Sequence, residues 1–347
     1  MKAVIFKEHG GVEKLIYTDV PKPVTRPDEV LVKVKACALN HLDIWTRLGM
    51  PGVTIPLPHI LGCDVAGEIE EIGKNAGTKS PRPFKVGQHV IVSPGFLPKN
   101  DPLAETNWDS LSDQFKILGL QVDGGYAEFV KVQAENIIPV SNRLSFEEWA
   151  AVPLVFLTAW HMLVTRAELK KGETVLIHAA GSGVGSAGIQ IAKSIGAKVI
   201  ATVGSDEKLL RAKAIGADWV VNYKRRDFTK EAREITKGRG VDVVLEHIGP
   251  ETFNKSLAAL AKGGRLVTCG ATSGPLVQLD LRFLFVRQFS VLGCYMGGLK
   301  ELKVVVKLIE AGKLKPTVDQ VFPLREARQA HERMLARENF GKIVLVP

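Results

Sequence analysis

A glycine-rich turn between an apolar strand and a helix has the clearest chemical meaning in this sequence. The run TVLIHAA (174–180) precedes the turn, and the helix-forming run IQIAKSI follows shortly after it. The turn itself consists of Gly181, Ser182, Gly183, Val184 and Gly185. Small residues permit a tight bend, let main-chain N–H groups approach a pyrophosphate, and leave a helix N-terminus directed at that anion. This context favours a dinucleotide site over a purely structural bend.

The residues after the next strand, AKVIATV, indicate which dinucleotide is bound. NAD enzymes place a carboxylate about 20 residues beyond the turn, but this chain has Gly204 and Ser205 there, with Lys208 one helical turn later. Small residues leave room for a 2′-phosphate, which Ser205 can bind and Lys208 can neutralise. Asp206 and Glu207 are counter-evidence, although acids at a helix start also interact favourably with its dipole. NADP(H) is therefore predicted rather than NAD(H).

Composition excludes several classes of protein. The chain has 347 residues, which predicts two domains, and its 46% hydrophobic and 24% charged residues are typical of a folded protein. No apolar run reaches the roughly 18 residues that span a bilayer, and the N-terminus has no signal-peptide pattern, so we expect a cytoplasmic protein without a membrane partner. The net charge of +9 comes from Lys and Arg spread along the chain, so nucleic-acid binding is not expected.

The cysteines do not form a recognisable metal or disulfide pattern. Cys37, Cys63, Cys269 and Cys294 include no C-x-x-C pair. Neither a zinc knuckle nor a disulfide framework is predicted, and reduced thiols are expected.

The periodicity of apolar residues predicts two domains of different type. Residues 1–150 contain short alternating strands at 2–6, 29–36, 66–72 and 88–92, which predict an antiparallel, barrel-like domain. Ser145 and Glu148 then form a candidate capping box at the start of a helical stretch that continues through Val164. Residues 151–312 alternate strands and helices, which predicts a doubly wound parallel sheet. Strands are predicted there at 174–180, 197–203, 241–246, 264–270 and 289–295, and Ser205 is a candidate cap for the helix after the second of them.

The order of several motifs resembles that of the medium-chain dehydrogenase/reductase superfamily over the whole chain. The similarity is greatest to the quinone-oxidoreductase-like branch and to zinc-type alcohol dehydrogenases that have lost metal ligands. It implies a GroES-like substrate domain at 1–150 and 313–347, a Rossmann domain at 151–312, an active site in the cleft between them, and a homodimer or homotetramer. The motifs are MKAVIF, ALNHLDIW, LPHILGCDVAGEIEEIG, DGGYAEFV, PLVFLTAW, AAGSGVG and GKIVL.

The same resemblance argues against zinc. Zinc-dependent members have a Cys at the position of Asn40, a His-Glu pair at Cys63 and Asp64, and a third ligand near 156–158, where this chain has no Cys. One Cys and one Asp do not complete a zinc site, and only an unconventional set with His41 or His59 remains. The segment 94–118, which carries four cysteines in zinc enzymes, has none here. We interpret it as a surface loop that Trp108 pins to the body.

Further site residues follow from the resemblance alone. Asn40 would donate a hydrogen bond to the substrate oxygen, and Thr158 would lie against the nicotinamide. Main-chain groups around Gly270 to Ser273 and Tyr295 to Gly297 would hold the carboxamide. The remaining cofactor-binding candidates by this resemblance are Ala271 beside the carboxamide, and Tyr223 and Lys342 near the phosphates.

The proton donor stays open, because Leu42 and Trp45 replace the hydroxyl residues of relatives. Asp43 is one candidate, although it could instead be a structural partner of a cation. The other candidates are His41, Cys63, Tyr126 and solvent.

These features together predict a metal-independent, NADPH-dependent reductase of a small molecule with an activated C=C bond or of a quinone. Such substrates carry their own electron sink, so no Lewis acid is needed. A zinc-assisted alcohol dehydrogenase and a non-catalytic NADPH-binding protein are the alternatives. The run FSVLGCYM (289–296) is expected to lie at a sheet edge and to pair with a second subunit.

Overall fold

Two kinds of β-sheet position the rest of the chain. The structure is a computed structural model and describes residues 1–76, 83–104 and 106–347. Numbered along the chain, the strands are β1 (Lys2–Phe6), β2 (Ile16–Asp19), β3 (Glu29–Ala38), β4 (His59–Ile60), β5 (Asp64–Ile72), β6 (His89–Val92), β7 (Gly95–Phe96), β8 (Lys116–Ile117), β9 (Phe129–Gln133), β10 (Ile137–Pro139), β11 (Thr174–Ile177), β12 (Lys198–Val203), β13 (Trp219–Asn222), β14 (Val241–Glu246), β15 (Leu260–Thr268), β16 (Ser290–Gly293), β17 (Val318–Pro323) and β18 (Lys342–Val346).

The helices connect these strands. They are α1 (His41–Leu48), α2 (Phe146–Ala150), α3 (Pro153–Trp160), α4 (Gly183–Ile195), α5 (Glu207–Ala214), α6 (Phe228–Ile235), α7 (Phe253–Ala259), α8 (Leu281–Arg287), α9 (Leu299–Glu310) and α10 (Ala327–Leu335). Within the described ranges, no helix is both long enough and apolar enough to cross a membrane.

The chain divides into two compact units. Unit 1 comprises Met1–Leu154, Gly298–Ala311 and Pro316–Pro347, and unit 2 comprises Val155–Gly297 and Gly312–Lys315.

Unit 1 is organised around β3, in which every residue except Lys33 and Lys35 is buried. β3 pairs antiparallel with β5, β9 and β18, and β17 extends the sheet beside β18. In this register Ala38 lies opposite both Asp64 and Val344. The first residues of β5 and β18, which are Asp64 and Lys342, therefore lie near the C-terminal end of β3.

Unit 2 contains a parallel sheet with the strand order β13-β12-β11-β14-β15-β16. From β11 the chain proceeds through β12 and β13 to one edge of the sheet, and it then returns to β14 and proceeds through β15 and β16 to the other edge. The strand order therefore reverses between β11 and β14, which is the topological switch point. Ligands of such sheets bind beyond the carboxyl ends of the strands at this point. The predicted fold class, a doubly wound parallel sheet with a separate antiparallel domain, is confirmed.

Several local predictions are confirmed and others need correction. The capping box of Ser145 and Glu148 is present, and Gly196 ends α4 in the left-handed conformation with φ of 88°. The helical stretch to Val164 is not continuous, because α2 ends before α3 begins and a π-helix follows over His161–Arg166. Ser205 does not cap α5, since Asp206 occupies that position.

Helix α9 belongs to unit 1, whereas the sequence boundary assigned it to the dinucleotide domain. The main-chain N–H of Leu299 donates to Asp109 at 2.9 Å. At the other end, the Glu310 carboxylate accepts from the N–H and the hydroxyl of Ser141 at 2.8 and 2.7 Å. The bond to Asp109 holds the start of α9 to the segment 94–118, in which β7 pairs with β8, and the bonds to Ser141 hold its end to the segment before α2. Residue 105 of that segment lies outside the described residues.

Candidate active site

The strand pairing of unit 1 places a lysine, a carboxylate and an amide in one buried cluster. The Lys342 Nζ lies 2.9 Å from Asp64 Oδ2 and 2.6 Å from Asn40 Oδ1. It also donates to the carbonyl oxygen of Leu39 at 2.5 Å. The ammonium thus uses all three of its N–H donors within the protein.

The burial of this cluster makes its pairing obligatory. Lys342 is 4% exposed and Asp64 is 0% exposed, and a buried charge without a partner is strongly destabilising. The placement of Lys342 corrects the prediction that it lies near the phosphates of the cofactor. Its donors are committed to Asp64, Asn40 and Leu39, so none is left for a phosphate oxygen.

The Asn40 amide bridges the lysine and the carboxylate. Its Nδ2 donates to Asp64 Oδ2 at 2.8 Å and to Cys63 Sγ at 3.3 Å, and it makes a long contact of 3.5 Å with the carbonyl oxygen of Ala38. Because a thiol sulfur is a weak acceptor, the second amide hydrogen is held much less firmly than the first. The Asn40 amide is therefore fixed in position, and one of its N–H groups can donate instead to a stronger acceptor, such as a carbonyl oxygen.

Asp43 lies behind Asn40 at the start of α1. Its Oδ2 accepts from the Asn40 N–H at 2.7 Å and from the Tyr126 hydroxyl at 3.1 Å, and its Oδ1 accepts from the Gly62 N–H at 3.1 Å. Burial raises the pKa of Asp43 to about 6. The Asp43 oxygens hold Asn40 and the turn before Cys63 in place, which supports a positioning role, and the catalytic role of Asp43 stays a prediction.

Two other candidates for the proton donor keep their protons. Burial raises the pKa of Cys63 and of Tyr126 well above their usual ranges. The Tyr126 hydroxyl lies 3.2 Å from Nε2 of His331, a buried residue that the sequence analysis did not single out. Burial lowers the pKa of His331 to about 3, so its imidazole is neutral. His41 and solvent remain as proton sources.

The donor set in unit 1 does not fit zinc. Asp64 is already paired with Lys342, and the Cys63 thiol is fully buried and accepts from the Asn40 amide. His59 faces Asp123 with 3.5 Å between Nδ1 and Oδ1, which agrees with a packed histidine. Across residues 1–76, 83–104 and 106–347, no three His, Cys, Asp or Glu side chains are grouped so that they could hold a metal ion.

The glycine-rich turn of unit 2 forms a cradle of main-chain N–H groups at the start of α4. Ser182 caps the helix, and its Oγ accepts from the Gly185 N–H at 2.9 Å. A Cβ on Gly185 would lie 2.2 Å from the carbonyl oxygen of Ala179, so only glycine fits there. Gly181 is buried, whereas Gly183 and Val184 are half-buried. This arrangement fits a pyrophosphate, as predicted for the turn.

Three of the predicted cofactor-binding residues lie just beyond the carboxyl end of β12. Gly204, Ser205 and Lys208 are half-buried there. Tyr223, which follows β13, is 40% exposed, and its hydroxyl lies 2.8 Å from where a Cβ of Gly204 would be. The structure thus brings Gly204 and Tyr223 together.

Asp206, one of the two acids that argue for NAD, is bonded to neighbouring side chains. Its Oδ1 accepts from Asn222 Nδ2 at 2.6 Å, and its Oδ2 lies 2.7 Å from a guanidinium nitrogen of Arg225. A ribose hydroxyl would have to compete with both partners.

The predicted nicotinamide residues also belong to unit 2. Thr158 is 3% exposed, and among the described residues its Oγ1 has no hydrogen-bond partner. Gly270 and Ala271 follow the carboxyl end of β15, and Tyr295 follows that of β16. A buried hydroxyl without a partner is costly, so Thr158 is suited to a ligand that supplies one.

Comparison with known proteins identifies both units. Residues 26–142 match the family model "Alcohol dehydrogenase GroES-like domain", and residues 183–311 match "Zinc-binding dehydrogenase". The chain is 33% identical to a quinone oxidoreductase of Pseudomonas aeruginosa, over 100% of this chain and 99% of that protein.

Solved structures show the same similarity. A structure titled as an NAD-dependent alcohol dehydrogenase is 44% identical, with a TM-score of 0.95 and 100% of both chains covered. The 2-octenoyl-CoA carboxylase reductase CinF, in complex with NADP and 2-octenoyl-CoA, is 29% identical with a TM-score of 0.88. That comparison covers 99% of this chain and 87% of CinF.

The raised pKa of Asp43 predicts a pH dependence of stability. The folded protein holds a proton on this carboxyl between the usual pKa of 3.8 and the folded value of about 6, whereas the unfolded chain releases it. The free energy of unfolding, relative to an Asp43→Asn variant, should therefore fall by up to about 1.4 kcal/mol per pH unit as pH rises through this window. Urea unfolding of both proteins measures it. A difference that stays constant with pH contradicts the prediction, and Asp113→Asn, at an exposed site, is the matched control.

Proposed function

This chain belongs to the medium-chain dehydrogenase/reductase superfamily, and on that premise we propose that it is an NADPH-dependent reductase of activated C=C bonds or quinones. The observation that carries the proposal is the Lys342–Asp64 ion pair with Asn40 between them. At positions where zinc-dependent members have metal ligands, this chain has Asn40 and Asp64, and both are bonded to the ammonium group of Lys342. A substrate that carries its own electron sink does not need a Lewis acid.

The residues of unit 2 would hold the dinucleotide. The cradle at 181–185 would bind the pyrophosphate, and the Thr158 hydroxyl would gain the partner that it lacks among the described residues. When bound, the nicotinamide supplies a hydride. Ser205 and Lys208 would bind a 2′-phosphate, and the pairing of Asp206 with Arg225 neutralises one of the two acids that would oppose it.

Asn40 would bind the substrate oxygen. Its Oδ1 accepts from the Lys342 ammonium at 2.6 Å, which polarises the amide and strengthens its N–H groups as donors. The N–H that now faces Cys63 would turn to the carbonyl oxygen and stabilise negative charge as it develops there. Solvent or His41 would then protonate the α-carbon of the enolate formed from a C=C substrate, or the oxygen of a reduced quinone, while Asp43 keeps Asn40 in position.

A panel of substrates tests the proposal. Oxidation of NADPH should be measured with enones, quinones and enoyl thioesters, and compared with NADH and with oxidation of simple alcohols. We expect turnover of at least one member of the first group, preference for NADPH and no loss of activity with a chelator. Chelator-sensitive alcohol oxidation would favour the zinc-assisted alternative, which the NAD-dependent structural relative supports. Tight NADPH binding without any turnover would favour the non-catalytic alternative.

Thr158→Val tests the nicotinamide side. Valine keeps the shape but removes a buried hydroxyl without a described partner, so the free energy of unfolding should stay unchanged or rise slightly. We expect kcat/KM for the hydride acceptor to fall by about tenfold. The control is Thr202→Val, because the Thr202 hydroxyl is bonded to His178 and to the Ala179 N–H. That variant should lose about 1–2 kcal/mol of stability. Equal destabilisation by both valines contradicts the assignment.

We also propose that the reductase is cytoplasmic, acts on a small molecule and pairs with a second copy through β16. β16 ends the parallel sheet, and every residue of the adjacent α8 is at least partly exposed. Leu281, Phe283 and Phe285 are each more than half exposed, and such apolar patches mark interaction sites. Solution scattering should give the mass of a dimer or tetramer, and Phe285→Glu should shift it toward the monomer. A monomeric wild-type mass removes the proposal.

A further inference from the structure

Glu246 is a buried carboxylate in unit 2 that the proposed reaction does not use. It is the last residue of β14 and is 0% exposed. Its Oε1 accepts hydrogen bonds from the main-chain N–H groups of residues 247–249 at 3.0, 2.7 and 3.2 Å. The hydroxyls of Thr252 and Ser256 donate to its Oε2 at 2.9 and 2.8 Å. The carboxylate therefore holds the whole turn that follows β14 and the start of α7.

A second set of bonds joins Glu246 to the neighbouring strands. Because the Ser256 hydroxyl donates to Glu246, its oxygen is free to accept from Nε2 of His178, which lies 2.8 Å away. The Thr202 hydroxyl then donates to Nδ1 of His178 at 3.2 Å and accepts from the Ala179 N–H at 3.1 Å. Burial lowers the pKa of His178 to about 4, so the imidazole is neutral at neutral pH. The chain of bonds links the carboxyl ends of β11, β12 and β14.

The turn 247–249 contacts both segments that are candidates for cofactor binding. The His247 Nε2 lies 3.1 Å from the carbonyl oxygen of His178 and 3.5 Å from Oγ of Ser182, the cap of α4. On the other side, the carbonyl oxygen of Ile248 accepts from both the N–H and the hydroxyl of Ser273 at 2.7 Å. One turn thus connects the glycine-rich cradle with the 270–273 segment.

From this juxtaposition we infer that Glu246 is a positioning residue for the dinucleotide. Its carboxylate fixes the turn 247–249, and the turn fixes the cradle and the 270–273 segment relative to each other. Supporting groups of this kind set the geometry of a binding site without touching the ligand. The inference rests on the proposed function, because it requires that the chain binds a nicotinamide dinucleotide.

The experiment measures the Kd of NADPH and NADP⁺ by titration calorimetry on the full chain, together with the thermal midpoint. Glu246→Gln replaces an acceptor by an NH₂ group that faces the hydroxyl hydrogens of Thr252 and Ser256. Both hydroxyls must turn, and Ser256 keeps its contact with His178 only if its own hydrogen is left without Glu246 as acceptor or the imidazole changes tautomer. We expect the Kd to rise by about tenfold. His247→Leu, which leaves the carboxylate in place and cuts the link to Ser182, should raise the Kd by several-fold even if Glu246→Gln does not fold.

Asp242→Asn is the matched control, because Asp242 lies near the opposite end of β14. Its carboxylate accepts from the Thr174 N–H at 2.8 Å and pairs with Arg239 at 2.6 Å. The control should leave the Kd within about twofold. A folded Glu246→Gln or His247→Leu with a wild-type Kd overturns the inference, even if its thermal midpoint falls, since that result shows a purely structural role. If the wild-type protein binds neither NADPH nor NADH, the proposed function itself fails.

Discussion

The buried ion pair of Lys342 and Asp64 is the interaction on which the candidate site depends. Each charge loses several kcal/mol of hydration on burial, and the pair is tolerated only when the remaining donors and acceptors are satisfied. They are satisfied here. Lys342 donates to Asn40 and Leu39 as well as to Asp64, and Asp64 Oδ1 accepts from the Leu154 N–H at 2.7 Å. Asn40 is thereby fixed by both ends of its amide, which gives it one orientation.

Three buried carboxylates show how differently this protein stabilises negative charge. Asp64 is paired with an ammonium. Glu246 has main-chain N–H groups and two hydroxyls, which together replace its hydration shell. Asp43 has two N–H groups and one hydroxyl, and its direct partners include no cation, so burial still raises its pKa to about 6. The first two carboxylates organise their surroundings through the bonds that they accept, whereas Asp43 is the carboxyl whose pKa burial raises.

Much of the fold and the phosphate cradle could be predicted because their signals are local. The alternation in EVLVKVKA, the apolar run TVLIHAA and the glycines at 181–185 each determine structure within a few residues. The Lys342–Asp64 pair could not be predicted, because strand pairing joins residues that are 278 positions apart. The role of Lys342 was therefore predicted wrongly from a motif alone. The network of Glu246 and His178 could not be predicted for the same reason. It forms only when the carboxyl ends of β11, β12 and β14 and the start of α7 are brought together.

A double-mutant cycle of Lys342→Met and Asp64→Asn, followed by chemical unfolding, tests the central claim most directly. We predict that each single change lowers the free energy of unfolding by roughly 3–5 kcal/mol, because it leaves one partner buried without its counter-charge. The double variant should recover part of that loss, with a coupling energy of about 2 kcal/mol or more. Strictly additive effects of the two changes would contradict the account.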